Sequence, residues 1–350
     1  MALVLDGSSG ILLPSGTTAE RPSNPQPGFM RFNTTLGLHE YYSGTAWVGS
    51  PTASFAVAAT PTSPILPSPS VAPTRPPSAS PTPSIDILVV GGGGSASKAY
   101  AFYGAGGGGG AVHGGSYTVT AGVAIAIVVG AGGASNSYSG TSISSYNGLS
   151  GSTSSFGTSI SVNGGAGGLG VTTAAVGGSS GSKIVGATTT PGFSGGALSP
   201  MDYLGTISYR PSGGGGGAGG IGAAGTPVGP GRGGPGVLSD ISGVTRYYGG
   251  GGNGYAPVLS NMPYVIAEAP LGGGGYSNSS NALVASEINT GGGGGGTTSG
   301  ITSGAGSSGV VFLRYPVAYP VPAFISGGVT SSIENGYRIY RWTSSGVVTF

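Results

Sequence analysis

The stretch GAGGGGGAVHGGSYTVTAGVAIAIVVGAGG, residues 104–133, joins two signals that seldom share a segment. SYTVTAGVAIAIVVG, residues 116–130, is rich in β-branched and aromatic residues and alternates as a half-buried strand does. On both sides of it the chain is glycine. The combination recurs, with DILVV at 86–90 leading into GGGG and GVVFLRY at 309–315 following another Gly-rich stretch. Uninterrupted glycine runs of four or more begin at Gly91, Gly106, Gly213, Gly249, Gly272 and Gly291.

A glycine run has no side chain to bury, and fixing each residue costs about 1–2 kcal/mol, more for Gly than for others. Only backbone N–H and C=O groups can offset that cost. Extended threefold helices of glycine pack side by side with nothing projecting between them, so their amides can bond to neighbouring helices in three directions. The runs are therefore expected to form a bundle of parallel and antiparallel polyglycine helices, capped by the flanking strands. The competing reading is a flexible Gly/Ser linker. Linkers rarely alternate with strands such as YTVTAGVAIAIVV or carry this much tyrosine.

Working outward, the 350 residues contain 78 Gly, about three times the roughly 7% expected. Charged residues make up 6% and hydrophobic ones 37%, with mean hydropathy +0.20. Disordered chains show the opposite balance. The net charge of +2 is scattered singly, with no basic stripe to neutralise phosphates, so nucleic acid is not an expected partner. There is no Cys, which removes disulfides and thiolate metal sites. MALVLDGSSG lacks the basic and apolar regions of an export signal, and no apolar run approaches the roughly 20 residues of a membrane span, so membrane insertion is not expected.

Composition divides the chain. Residues 1–50 read as a small β module, with runs FMRFN, LHEYY and WVGS separated by turns; alone, a meander this short is marginal. Residues 51–84 hold ten prolines and one charge, Arg75. This segment is either a semi-rigid polyproline spacer, up to roughly 100 Å long, or a floppy linker. Residues 85–316 form the glycine-rich domain, and 317–350 a C-terminal β-hairpin segment closing it. The expected fold is mainly β and irregular: a small N-terminal β module, a Pro-rich spacer, and packed polyglycine II helices flanked by short strands, with almost no α-helix.

The motif order DILVVGGGG (86–94), GAGGGGGAVHGGSYTVTAGVAIAIVVGAGG (104–133), SFGTSISVNGGAGGLG (155–170) and GSSGVVFLRYP (306–316) resembles the glycine-rich domain of bacteriophage tail-fibre and adhesin proteins. GTTAERPSNPQPGFMRFNTTLGLHEYYSGTAWVGS, residues 16–50, is similar to a module of phage tail fibres. The resemblance implies a layered polyglycine bundle whose distal loops contact a bacterial receptor. One departure stands out. A segment like GYRIYRWTSSGVVTF usually precedes the first DILVV-like strand, whereas here it closes the chain at 336–350. Either it folds back to pair near Asp86, or it begins a further unit; unpaired strand edges invite aggregation, which favours the first.

Signatures of catalysis are weak. Asp6 and Glu20 are the closest two acids along the chain, so no local carboxylate pair exists. GGSSG at Gly177–Gly181 matches a nucleophile pattern, and Gly104–Gly109 satisfies G-x-G-x-x-G, but 78 glycines make both near-chance events. His39 and His113 both precede the serine. Calcium repeats need periodic Asp, and this chain has only Asp6, Asp86, Asp202 and Asp240. No enzyme activity, metal or cofactor is expected.

If the rods are a scaffold, recognition falls to the longer non-glycine segments, 135–156, 197–210, 253–270 and 276–289. They carry Tyr138, Tyr146, Tyr203, Tyr209, Tyr255, Tyr264 and Tyr276, whose flat faces and hydroxyls suit sugars or protein loops; some could instead pack internally over glycine. Alternation of loop ends is expected to leave only about half of these segments distal. The expected function is a tail-fibre or adhesin subunit on the virion exterior. It would form a homotrimer, attach to tail or baseplate proteins through the N-terminal module, and bind a host glycan or outer-membrane protein. The alternative is a purely structural virion protein.

Overall fold

The computed structural model describes residues 5–6, 10–11, 14–36, 38–49, 84–98, 104–135, 147–170, 178–181, 183–185, 188–201, 210–256, 267–277, 283–284, 286–297 and 302–350. The chain divides into two units, Met1–Thr74 and Arg75–Phe350. The Pro-rich segment lies outside the described residues up to 83.

In the first unit, the runs expected as strands form a four-stranded sheet in the order Ser15–Gly16, Met30–Asn33, Leu38–Tyr42, Trp47–Gly49. The outer pair at Ser15 is parallel and the others antiparallel. Among its described residues the buried ones are polar: Arg31, Asn33 and Glu40. The Glu40 carboxylate accepts from Arg21 Nη2 at 2.5 Å and from Asn33 Nδ2 at 3.1 Å. Arg31 donates to the carbonyls of Glu20 and Thr17 at 2.7 and 2.9 Å, so each buried charge is paired or hydrogen-bonded, as burial requires.

The second unit begins on Ser84–Val90, which is buried on both faces. Ile85, Ile87 and Val89 point to one side and Leu88 and Val90 to the other, the period-two alternation of a strand. It sits in a seven-stranded sheet ordered Thr188–Thr190, Lys183–Val185, Val112–Thr118, Ser84–Val90, Val310–Pro316, Tyr337–Trp342, Val329–Glu334. A five-stranded sheet is ordered Ile160–Val162, Ser154–Phe156, Ala124–Val128, Gly346–Thr349, Phe324–Ile325. Between them lies a core of Ile85, Ile125, Ile127, Phe156, Leu313 and Trp342. The C-terminal segment does fold back within the chain, although its partner is not the strand of Asp86. Tyr337–Trp342 pairs with Val310–Pro316, one strand further out, and Gly346–Thr349 pairs with Ala124–Val128.

Beyond the strands the glycine runs are ordered rods. From Gly91 to Ser97, successive N–H groups donate to three different segments in rotation. Gly91, Gly94 and Ser97 reach Ala111, Gly108 and Ala105; Gly92 and Ser95 reach Ser152 and Leu149; Gly93 and Ala96 reach Ser307 and Gly304, all at 2.8–3.0 Å. A partner that recurs every third residue is what a threefold helix dictates. The carbonyls of Gly92, Gly93 and Gly94 accept from Gly165, Gly133 and Gly294, so this rod has six neighbours. Positive φ occurs where rods begin or turn, at Gly249, Gly272, Gly273 and Gly291. There the missing Cβ permits the turn.

Candidate binding end of the rod bundle

Hydrogen-bond pairing fixes which way each rod runs. The rod at 91–98 leaves its strand at Gly91 and pairs antiparallel with 104–111, so Ser97 and Ala105 mark the end remote from the sheets. Ser95 meets Leu149 and Gly168, while Ala96 meets Gly304. The carbonyl of Gly106 accepts from Gly178, and that of Gly213 from Gly106. Ser199 donates to Pro211, Ser212 to Tyr255, and Gly296 to Asn253. Lys98 bridges Thr297 in parallel. All these contacts belong to one level of the bundle.

Consequently the rods that flank segments 99–103, 136–146, 171–177, 202–209, 257–266, 278–282 and 298–301 open at this end. The described turn at Thr226–Gly229 closes there as well, because Gly225 donates to Ala197 and Gly231 to Ser212. At the opposite end the chain turns through the strands, or through tight turns such as Gly217–Gly220 and Asn289–Gly291. The expectation that alternation would split the four longer segments between the two ends is thus corrected. Every second connection is used up by a strand pair or tight turn, which leaves the described flanks of the longer segments at one end.

The rods hold this end in register through buried hydroxyls as well as amides. Ser212 Oγ donates to the Gly104 carbonyl at 2.6 Å and accepts from the Tyr255 N–H at 2.7 Å. Ser97 Oγ accepts from Ala105 N–H at 2.8 Å. Asn253 Oδ1 accepts from Gly233 N–H at 2.8 Å, while its Nδ2 donates to the carbonyls of Ala267 and Glu268. A serine or asparagine in a glycine run therefore satisfies the backbone groups that a rod end leaves over.

Of the tyrosines singled out in the sequence, Tyr138, Tyr146, Tyr203, Tyr209 and Tyr264 lie outside the described residues. Tyr276 is half-buried, and its strand pairs with Leu283–Val284. Tyr255 is 3% exposed, so its side chain packs inside the bundle and is withdrawn as a contact residue. Leu149, Leu169 and Met201 were not anticipated, yet each is about half exposed at this end. A leucine or methionine interrupting a glycine-rich rod was the available signal.

One cluster of ionic groups lies at the other end. Arg314 Nη2 lies 3.3 Å from Asp86 Oδ2, and Nη1 lies 3.5 Å from Asp240 Oδ2. One guanidinium is thus shared between two carboxylates. His113 also belongs to the sheet end, where burial lowers its pKa and favours the neutral imidazole. Among the described residues no three His, Asp or Glu come together as a metal site, and no helix is long and apolar enough to cross a membrane.

In the comparisons with known proteins, a family model described as a glycine-rich domain matches residues 75–316. No curated protein and no solved structure matches the chain.

Proposed function

The chain belongs to the glycine-rich domain family, and from that premise we propose that it is a bacteriophage tail-fibre or adhesin subunit that contacts the host surface through its rod-bundle end. One observation carries the reading. In a scaffold fixed by its own amides, the described rods that flank the four longer segments singled out in the sequence all open at the end away from the sheets. Rigid elements presenting variable segments are how folds commonly build recognition surfaces.

The chemistry of all the segments flanked at that end fits a surface ligand. In sequence they combine Tyr100, Tyr103, Tyr138, Tyr146, Tyr203, Tyr209 and Tyr264 with Ser, Thr and Asn, and Asp202 is their one charge. Aromatic faces with hydroxyls suit a glycan or the loops of an outer-membrane protein. The likeness of residues 16–50 to a tail-fibre module supplies the attachment to the particle. Display of several copies would make weak sites effective through avidity.

The test replaces residues 136–146 and 257–266 by Gly/Ser segments of equal length in the full chain. Particles carrying the altered chain are expected to assemble normally and to lose adsorption to host cells. Unchanged adsorption together with impaired assembly would instead assign the chain a purely structural place in the virion.

A further inference from the structure

Strand Val329–Glu334 forms one edge of the seven-stranded sheet, and its residues from Thr330 to Glu334 are exposed. Its hairpin turn is Asn335-Gly336, with φ of 50° and 80°, the two-residue turn that closes on a hydrogen-bonded pair, here Glu334 with Tyr337. Such pairs alternate along an antiparallel ladder. Ser332 and Thr330 therefore also bond inward, to Ile339 and Arg341. Thr343 N–H donating to Gly328 C=O at 2.9 Å keeps the same parity beyond the strand.

The N–H and C=O groups of Ser331 and Ile333 consequently point out of the sheet. Nothing among the described residues bonds them. Val329 differs, because its N–H turns back to the Gly327 carbonyl at 2.9 Å. Exposed edges are normally blunted by lysine, proline or a bulge. VTSSIE has no lysine, proline or bulge, and its one charge, Glu334, stands beside the turn.

We infer that Val329–Glu334 pairs antiparallel with the same strand of a second copy of this chain, about a two-fold axis at Ser332. That register sets Ser331 opposite Ile333 of the second copy, and the reverse, so all four outward N–H groups and all four outward carbonyls of the two copies are satisfied. An axis at Ser331 would oppose Ile333 to Val329, whose N–H is already committed. An axis between two residues would set outward groups against inward ones.

Charge favours the same register. Glu334 of one copy falls opposite Thr330 of the other, and Thr330 is itself paired with Arg341. All three side chains share one face. Two strand spacings, about 10 Å, separate the outer two backbones, within reach of two long side chains. Arg341 takes part in no ion pair among the described residues; its guanidinium lies over Phe312 at 5.9 Å, with Nε buried and unbonded. The axis generates two such Glu334–Arg341 pairs.

The chain has no native cysteine, so single cysteines read the register directly. Across a non-hydrogen-bonded pair the Cα atoms stand about 4.5 Å apart, within disulfide range. Under mild oxidation, full-length Ser332→Cys is expected to form covalent dimers at least about tenfold faster than Thr330→Cys, because pairing raises the effective concentration of the facing thiols. Thr330→Cys mixed with Glu334→Cys should give the heterodimer. Ile333→Pro removes an outward N–H without touching the inward ladder. Placed in the Ser332→Cys chain, it should abolish cross-linking and leave the circular dichroism melt in place. Equal rates at Ser332 and Thr330, or a folded Ser332→Cys chain that stays monomeric on a non-reducing gel, would overturn the pairing. The readout depends on register, so it is independent of any assembly through the N-terminal unit.

Discussion

Gly107 lies so close to Gly94 that a Cβ on Gly107 would stand 2.1 Å from the Gly94 carbonyl oxygen. The atom it would strike is main chain, and that main chain is pinned by the Gly94 N–H bond to Gly108 at 2.8 Å. The neighbour cannot swing aside as a side chain would. Close contact of a Cα with a carbonyl repeats through the bundle, at Gly92, Gly106, Gly108 and Gly109. Weak Cα–H···O attraction adds to the amide bonds there.

Gly107→Ala should therefore destabilise the second unit by about 3–5 kcal/mol or prevent folding, beyond ordinary overpacking because the contact is with fixed backbone. Gly114 makes the contrast, since a Cβ there would meet only Leu88 Cδ1 at 3.5 Å. Gly114→Ala is expected to shift stability by less than about 0.5 kcal/mol. Urea titration of both variants checks the pair; equal losses would mean that the rods are not held as described.

The C-terminal strands should be indispensable to the second unit. Trp342 is fully buried between the two sheets, and its Nε1–H donates to the Ser326 carbonyl at 3.0 Å. Trp342→Ala is expected to cost about 3–5 kcal/mol, the range for emptying a large aromatic site. Truncation after residue 328 would additionally strip the partner from Val310–Pro316 and expose the apolar strand beside Ser84–Val90. Thermal melts should show loss of the cooperative transition, and light scattering should show aggregation.

The strands were legible because their signal is side-chain pattern: DILVV and VVFLRYP are apolar on both faces and became central strands. The rods were legible in principle but not in extent. Ser95, Leu149, Ala166, Ser179, Pro235 and Ser307 all occupy rod positions, where sequence shows no glycine run. Only a residue whose Cα faces a neighbouring carbonyl must be glycine; positions that face a gap accept a side chain. The gathering of the longer segments at one end follows from which connections are strand pairs, a long-range fact that spacing along the chain does not carry. Tyr255 reads like any loop tyrosine, and its burial depends on rods distant in sequence.

Ser154 links a sheet to the rods. Its Oγ donates to the Val90 carbonyl at 2.7 Å and accepts from the Gly130 N–H at 2.8 Å, and both bonds are buried. Ser154→Ala leaves two buried backbone groups without that partner, and each such group costs about 1–3 kcal/mol. Gly130 C=O is still served by Gly309 N–H at 2.9 Å, so the rod should remain attached. A total loss of about 2 kcal/mol in a denaturant midpoint, with hydrogen exchange rising first at Gly130, is the expected result.

The first unit should be lost in acid, for a reason set by one carboxylate. Hydrogen bonding from Arg21 holds the Glu40 pKa below its ordinary value of 4.5; burial opposes this, while Asn33 and the charges of Arg21 and Arg31 assist. A carboxyl whose folded pKa is depressed contributes stability above the unfolded value and loses it as pH falls through the folded one. The unit should thus be stable near neutrality and unfold progressively below about pH 4.5. Trp47 reports the event, because Arg21 lies over its ring at 5.6 Å and is released when Glu40 is protonated. Only two tryptophans are present, so a Trp342→Phe background isolates its fluorescence. Glu40→Gln should cost about 3 kcal/mol at neutral pH, since Arg31 stays buried without its counter-charge. It should also flatten the acid limb of the titration. An acid transition of unchanged midpoint and steepness in Glu40→Gln would transfer the effect to another group, with Glu20, whose pKa is lowered by hydrogen bonds from Thr17, the next to examine.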